Sequence, residues 1–137
     1  MACIFCKIIA GEIPAHKVYQ DDAVVAFLDI SQTTKGHTLI VPRRHVKTVY
    51  DLSAKEASQI FGVVPELANA LRRAFSPIGL NVLNNNERPL QSVDHVHVHL
   101  IPRYEDDRLK IGMPDHHDAL RTQDYEDIKQ KILDALS

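Results

Sequence analysis

The chain has 137 residues and a formal net charge of −2. That length suits one domain with a hydrophobic core of its own, and the charge argues against broad binding to nucleic acid, which needs an excess of Lys and Arg. No apolar run reaches the roughly 18 residues of a membrane span, and Met1-Ala2-Cys3-Ile4-Phe5-Cys6-Lys7 carries no basic segment followed by a signal-like apolar run, so a cytoplasmic setting with no membrane partner is expected.

No repeat, low-complexity tract or linker breaks the sequence, so residues 1–137 are expected to form a single domain. Residues 2–10 read as a short apolar helical turn ended by Gly11-Glu12-Ile13-Pro14. Residues 17–19 and 23–28 read as strands joined at Asp21-Asp22 into a hairpin. Residues 31–36 are polar and form a loop. His37-Thr38-Leu39-Ile40-Val41 reads as a buried strand closed by Pro42, which has no N–H for a ladder. Ser53-Ala54-Lys55-Glu56 is a capping box. Ala57, Ile60, Phe61, Val64, Leu67, Ala68 and Leu71 follow at helical spacing. The helix should run to about Phe75 with a kink at Gly62 and Pro65. Residues 79–83 predict a strand, 84–90 a turn-rich loop, 93–101 a strictly alternating strand and 103–118 an irregular polar stretch. Residues 122–136 predict a terminal helix with Tyr125, Ile128, Ile132 and Leu136 facing inward. The expected class is α+β: an antiparallel sheet packed by one long kinked helix and a C-terminal helix.

Three of the eight histidines alternate in His95-Val96-His97-Val98-His99. On a strand they share one face, while Val96, Val98 and Leu100 fill the other as core. Imidazole is a good nucleophile near neutral pH and can attack phosphorus, splitting one hard step into two. A neighbouring imidazole can supply the donors that phosphoryl chemistry needs at the non-bridging oxygens. The same row would also suit a metal site or an exposed polar face. Cys3 and Cys6 are the two cysteines, and in a reducing compartment their spacing favours a metal or redox role over a structural disulfide. His16 reads as a surface residue and His116-His117 as part of a solvated loop.

His95-Val96-His97-Val98-His99-Leu100-Ile101 resembles the motif of the histidine triad family. Cys3-Ile4-Phe5-Cys6-Lys7-Ile8-Ile9 with Glu12-Ile13-Pro14 looks like that family's N-terminal segment. Phe27-Leu28-Asp29-Ile30-Ser31 followed by Gly36-His37-Thr38-Leu39-Ile40-Val41-Pro42 is similar to its second block. Gln91-Ser92-Val93 before the histidines and Pro102-Arg103 after them fit as well. The resemblance covers about residues 3–103, which leaves 104–137 as a C-terminal extension.

The resemblance implies the family's α+β fold in a homodimer that acts on a purine nucleotide substrate. It makes His97 the nucleophile that takes up a nucleoside monophosphate, His99 a contact of the α-phosphate and His37 a further wall of the phosphate site. Asp29 would hold the ribose hydroxyls. Ile4, Phe5, Ile8, Ile13, Phe27 and Ile30 would form the apolar base pocket. Gln91, Ser92 and Asn84 would lie near the leaving group. Family members with the Cys-x-x-Cys segment bind zinc, which implies a structural site of Cys3, Cys6, His45 and His95 and no catalytic metal at His97. The implied activity is hydrolysis of a nucleoside phosphoramidate or related nucleotidyl conjugate. The alternatives are a dinucleoside polyphosphate hydrolase, a nucleotide-binding regulatory protein with weak turnover and a zinc-binding interaction module. One departure stands out. The family's glycine-rich loop is replaced by Asn84-Asn85-Asn86-Glu87-Arg88-Pro89-Leu90, with Asn86 expected in the left-handed region and Pro89 unable to donate an N–H.

Overall fold

The computed structural model describes residues 3–136. Residue 2, which the sequence places in the first helix, lies outside them. Five strands form one antiparallel sheet in the order β1-β2-β3-β5-β4. Strands β1 (Lys17–Gln20) and β2 (Val24–Leu28) make the expected hairpin. The Asp21 carboxylate holds its turn by accepting from the amides of Ala23 and Val24, each at 2.8 Å, and from the Tyr19 hydroxyl, the local bonding that suits Asp to turns. Strand β3 (Thr38–Pro42) pairs with β2, and β5 (Val98–Arg103) lies between β3 and β4 (Gly79–Asn84).

The central strands are buried on both faces, which is why β2 and β3 read as continuous apolar runs. On one face Val24, Ala26, Ile40, Val96, Val98 and Leu100 pack with Ile60, Val63 and Leu67 of helix α2 (Ala54–Phe75). On the other, Val25, Phe27, Leu39 and Val41 pack with Phe5 and Ile8 of helix α1 (Ile4–Ile9). Each Val, Leu, Ile or Phe side chain among them contributes about 1.5–3 kcal/mol when fully buried. Helix α2 begins at the expected capping box, in which Ser53 accepts from the Glu56 amide and Glu56 reaches back. It runs without interruption through Pro65 to a left-handed C-cap at Ser76. Phe61, expected on its buried side, is exposed, and Val63 is buried in its place.

Two further expectations are corrected. The strand predicted over 93–101 starts at Val98. The amide of Val96 donates to Val46 O at 2.7 Å and that of His95 to Val93 O at 2.8 Å, so the chain there is held by a neighbouring loop and a tight turn rather than by the ladder. The in-out alternation persists, and Val96 still points into the core under α2. Helix α3 (Thr122–Leu136) forms, but Tyr125, Ile128, Ile132 and Leu136 are exposed. The buried faces of the central strands are already taken by α2 on one side and α1 on the other, so its apolar stripe stays exposed. No helix among the described residues is long and apolar enough to cross a membrane.

Candidate active site

Asp29 follows β2 and His37 precedes β3, so the loop between these strands presents both at one end of the sheet. Gly36 permits the tight entry into β3: its φ is 95°, and a Cβ there would meet Leu71 and Phe75 at 3.2 Å. His99 lies at the start of β5, opposite Leu39 of β3. His95 and His97 lie on the segment leading into β5, on the α1 side of the sheet. The Phe5 ring meets the edges of both, with centroids 5.9 Å from His95 and 5.1 Å from His97.

The hydrogen bonds define which nitrogen of each imidazole carries its proton. His97 Nδ1 lies 2.7 Å from the His95 carbonyl, which only accepts. Its proton is therefore on Nδ1 and its lone pair on Nε2. His95 Nε2 donates to the Pro42 carbonyl at 2.8 Å, which leaves the Nδ1 lone pair free. Thr33 N–H donates to His37 Nδ1 at 3.3 Å, so the His37 proton sits on Nε2. That nitrogen lies 2.9 Å from His99 Nδ1 and donates to it. His99 accordingly carries its own proton on Nε2. The His97 and His99 rings are 5.0 Å apart, so a nucleophilic nitrogen and a hydrogen-bond donor stand side by side.

Burial sets the charge of the site. It pushes His97 below the ordinary imidazole range, against the opposing pull of the His95 carbonyl and Asp29. His99 is pushed down to about 4 by burial and then by His97 and His37, with Asp29 opposing. Burial also lowers His37 and His95. Burial works to raise Asp29, but the hydroxyl and amide of Ser31, together with His37 and His99, hold it below the usual carboxylate range. Burial thus favours the neutral form of His37, His95, His97 and His99, while the Ser31 hydrogen bonds favour the ionised form of Asp29.

Two side-chain clusters among the described residues have metal-ligand chemistry: Cys3, Cys6, His45 and His95, and Asp29, His37 and His99. Their outer hydrogen bonds separate them. A ligating histidine donates its other ring N–H to a neighbour. His95 does so to Pro42, and its free Nδ1 lies 3.4 Å from Cys3 Sγ and 3.6 Å from Cys6 Sγ, while His45 Nδ1 lies 3.3 Å from Cys6 Sγ. A tetrahedral ion with metal–sulfur bonds of about 2.3 Å and metal–nitrogen bonds of about 2.05 Å has sulfur–nitrogen edges of about 3.6 Å. The first cluster fits a metal ion. In the second, His37 accepts at Nδ1 from Thr33, which is the wrong polarity for a ligand at Nε2.

The remaining expected residues divide. Phe5, Ile8 and Phe27 are buried together, with Ile13 partly buried against them. Ile4 is exposed, and Ile30 is 91% exposed. Asn84, at the end of β4, donates to the His97 carbonyl at 3.0 Å, so it holds the backbone that carries the imidazole. Gln91 is 0% exposed. Its amide donates to Lys47 O at 2.6 Å and accepts from Glu87 N at 2.7 Å, which ties down the glycine-free loop. The left-handed residue of that loop is Glu87, with φ 68°, not Asn86. Asn86 uses its side chain instead, donating to Asn84 and accepting from the Val49 amide. Ser92 is exposed and lines a cavity with Cys3, Ile4, Cys6, Lys47 and Arg88. Pro42 and Thr33 act through backbone groups, which leave no signal in residue type.

The HIT domain family model matches residues 10–106. A solved structure of a HIT family member from Bacillus subtilis is similar with a TM-score of 0.96 and 48% identity, covering 100% of this chain and 99% of that one. The adenosine 5'-monophosphoramidase hnt1 of Schizosaccharomyces pombe is 41% identical over 116 residues, 83% of this chain and 84% of that protein. A zinc-bound histidine triad family protein from Mycobacterium smegmatis aligns with a TM-score of 0.75 and 30% identity, covering 100% of this chain and 99% of that one.

Proposed function

The chain belongs to the HIT domain family, and from that premise we propose that it is a nucleotide-binding hydrolase that cleaves a purine nucleoside phosphoramidate, or a related nucleotidyl conjugate, through a nucleotidyl-His97 intermediate. The observation that carries the proposal is the bond from His97 Nδ1–H to the His95 carbonyl, because it leaves the ring lone pair on Nε2. That lone pair attacks the α-phosphorus. The phosphorus–nitrogen bond to the leaving amine breaks, the electron pair departs with that nitrogen, and the amine takes a proton from solvent. The His97 ring becomes cationic, and its bond to the His95 carbonyl strengthens as it does so. His99 Nε2–H donates to a non-bridging oxygen. Water then attacks phosphorus, the bond to Nε2 breaks with its electrons returning to the ring, and the proton of the water goes to solvent.

Asp29 Oδ1 is engaged by Ser31, which leaves Oδ2 for the ribose hydroxyls. The base would lie against the apolar surface around Phe5, Phe27, Ile13, Ile4 and Ile30. Cys3, Cys6, His45 and His95 would hold zinc. All four tetrahedral positions would then be filled by protein, so these four residues would tie α1 to the segment before β5 through the ion. The monophosphoramidase and zinc-bound relatives support the two halves of this reading. The exposed apolar face of α3 supports a homodimer that would cover it.

A second reading, a nucleotide-binding protein with weak turnover, is favoured by one observation: both ends of the Gln91 amide are engaged in holding its own loop. Steady-state release of nucleoside monophosphate from an adenosine phosphoramidate and from a dinucleoside polyphosphate, by wild type and His97→Ala, separates these. Release that is lost in the variant supports the hydrolase, and the better substrate gives its class. Nucleotide binding without release supports the second reading.

A further inference from the structure

The segment joining Asp29 to His37 turns on Gln32, whose φ is 42°. Few residues other than glycine adopt that left-handed region. The side-chain amide of Gln32 stabilises it. Nε2 donates to the carbonyls of Asp29 at 2.7 Å and His37 at 2.8 Å, and Oε1 accepts from the Gly36 amide at 2.9 Å. These partners fix which end of the amide is which, since carbonyls only accept and a backbone N–H only donates. One side chain thus clasps both ends of the segment that carries Asp29 and His37. The next residue supplies the Thr33 N–H that reaches His37 Nδ1, and His37 in turn donates to His99.

We propose that Gln32 is a positioning residue for the phosphate-binding histidines: its amide holds the turn that directs Thr33 N–H at His37, and so sets which nitrogen of His37 and of His99 carries the proton. The inference rests on the reading of His99 as an α-phosphate donor for its functional meaning, though not for its geometry. Without the clasp, Thr33 N–H is released, His37 is free to place its proton on Nδ1, and His99 loses the partner that keeps its proton on Nε2.

The test is long-range proton–nitrogen NMR of the imidazoles in the metal-loaded full chain at pH 7.5. In wild type, His37 and His99 should each show a single Nε2–H form and His97 an Nδ1–H form. Gln32→Met keeps side-chain length and removes all three hydrogen bonds. Gln32→Gly removes them while adopting the left-handed conformation without strain. In both, the His37 and His99 signals should shift to mixed forms while His97, held by the His95 carbonyl, stays unchanged and reports that the fold is intact. For a nucleoside phosphoramidate, kcat should fall about tenfold or more, with KM changing less, as expected when a donor to the transition state is misplaced. Unchanged His37 and His99 signals in both variants would overturn the proposal, whatever the activity. Shifted signals in a protein whose wild type releases no nucleotide would uphold the role of Gln32 and overturn the hydrolase reading instead.

Discussion

Phe5→Ala tests how the N-terminal helix is attached. Helix α1 has six residues, too few to be stable alone. Two anchors hold it: Phe5 and Ile8 packed against Val25, Phe27, Leu39 and Val41, and the cluster of Cys3 and Cys6 with His45 and His95. The Phe5 ring is buried and makes edge contacts with Phe27 at 5.4 Å and with His97 at 5.1 Å. Truncating such a ring in a core costs about 3–5 kcal/mol. Unfolding entropy of about 2.1 cal/mol/K per residue gives about 0.3 kcal/mol/K for a chain of this length, so the midpoint should fall by about 10–17 °C. The assay is thermal unfolding by circular dichroism at matched metal content. A midpoint shift under about 3 °C, less than about 1 kcal/mol by the same conversion, would refute the packing of α1 on the sheet.

Cys6→Ser should remove bound metal from the purified protein, read by elemental analysis, whereas His97→Ala should leave metal content unchanged. Without metal, burial and then Cys3 push the Cys6 thiol up to about 11, so metal uptake must displace its proton; apparent affinity against a competing chelator should rise with pH between 6.5 and 8.5. Burial, followed by His97 and His37, holds folded His99 down to about 4, against about 6.5 in an unfolded chain. The unfolded chain therefore binds that proton first, and stability from this group, full above 6.5, should decline as pH falls toward 4 in urea titrations of the metal-free protein. Asn84→Ala removes the donor to the His97 carbonyl, which should lower stability by about 1 kcal/mol and kcat/KM for the phosphoramidate, with metal content unchanged.

Most of the fold was legible in the residues because local rules and burial agree there. The Asp21 turn, the Ser53–Glu56 capping box and the doubly buried strands β2 and β3 each have one physical solution. The misreadings lie where a tertiary partner decides. The alternation from Val93 onward has strand period, yet Val96 bonds to Val46 and not to a strand. The apolar stripe of α3 marks a face that needs cover without saying what covers it. Asn86 has the composition of a left-handed residue, but its side chain is used on Asn84 and Val49, and Glu87 takes the conformation. His97, His99, His37 and Asn84 could be singled out because they match a family motif; the structure brings the three rings together and turns the Asn84 side chain onto the His97 carbonyl. Gln32 was not, since its role rests on three backbone partners that no spacing reveals.

The central claim is that His97 Nε2 becomes covalently attached to a nucleoside monophosphate. Its most direct test is to mix the protein in excess with an adenosine phosphoramidate, quench in mild base within one turnover and map the adduct by mass spectrometry. A single adenylyl group on the peptide carrying His97, lost on acid treatment and absent from His97→Ala, is the expected result. Product formation with no adduct at any quench time, and with His97→Ala as fast as wild type, would contradict it and place the chemistry elsewhere.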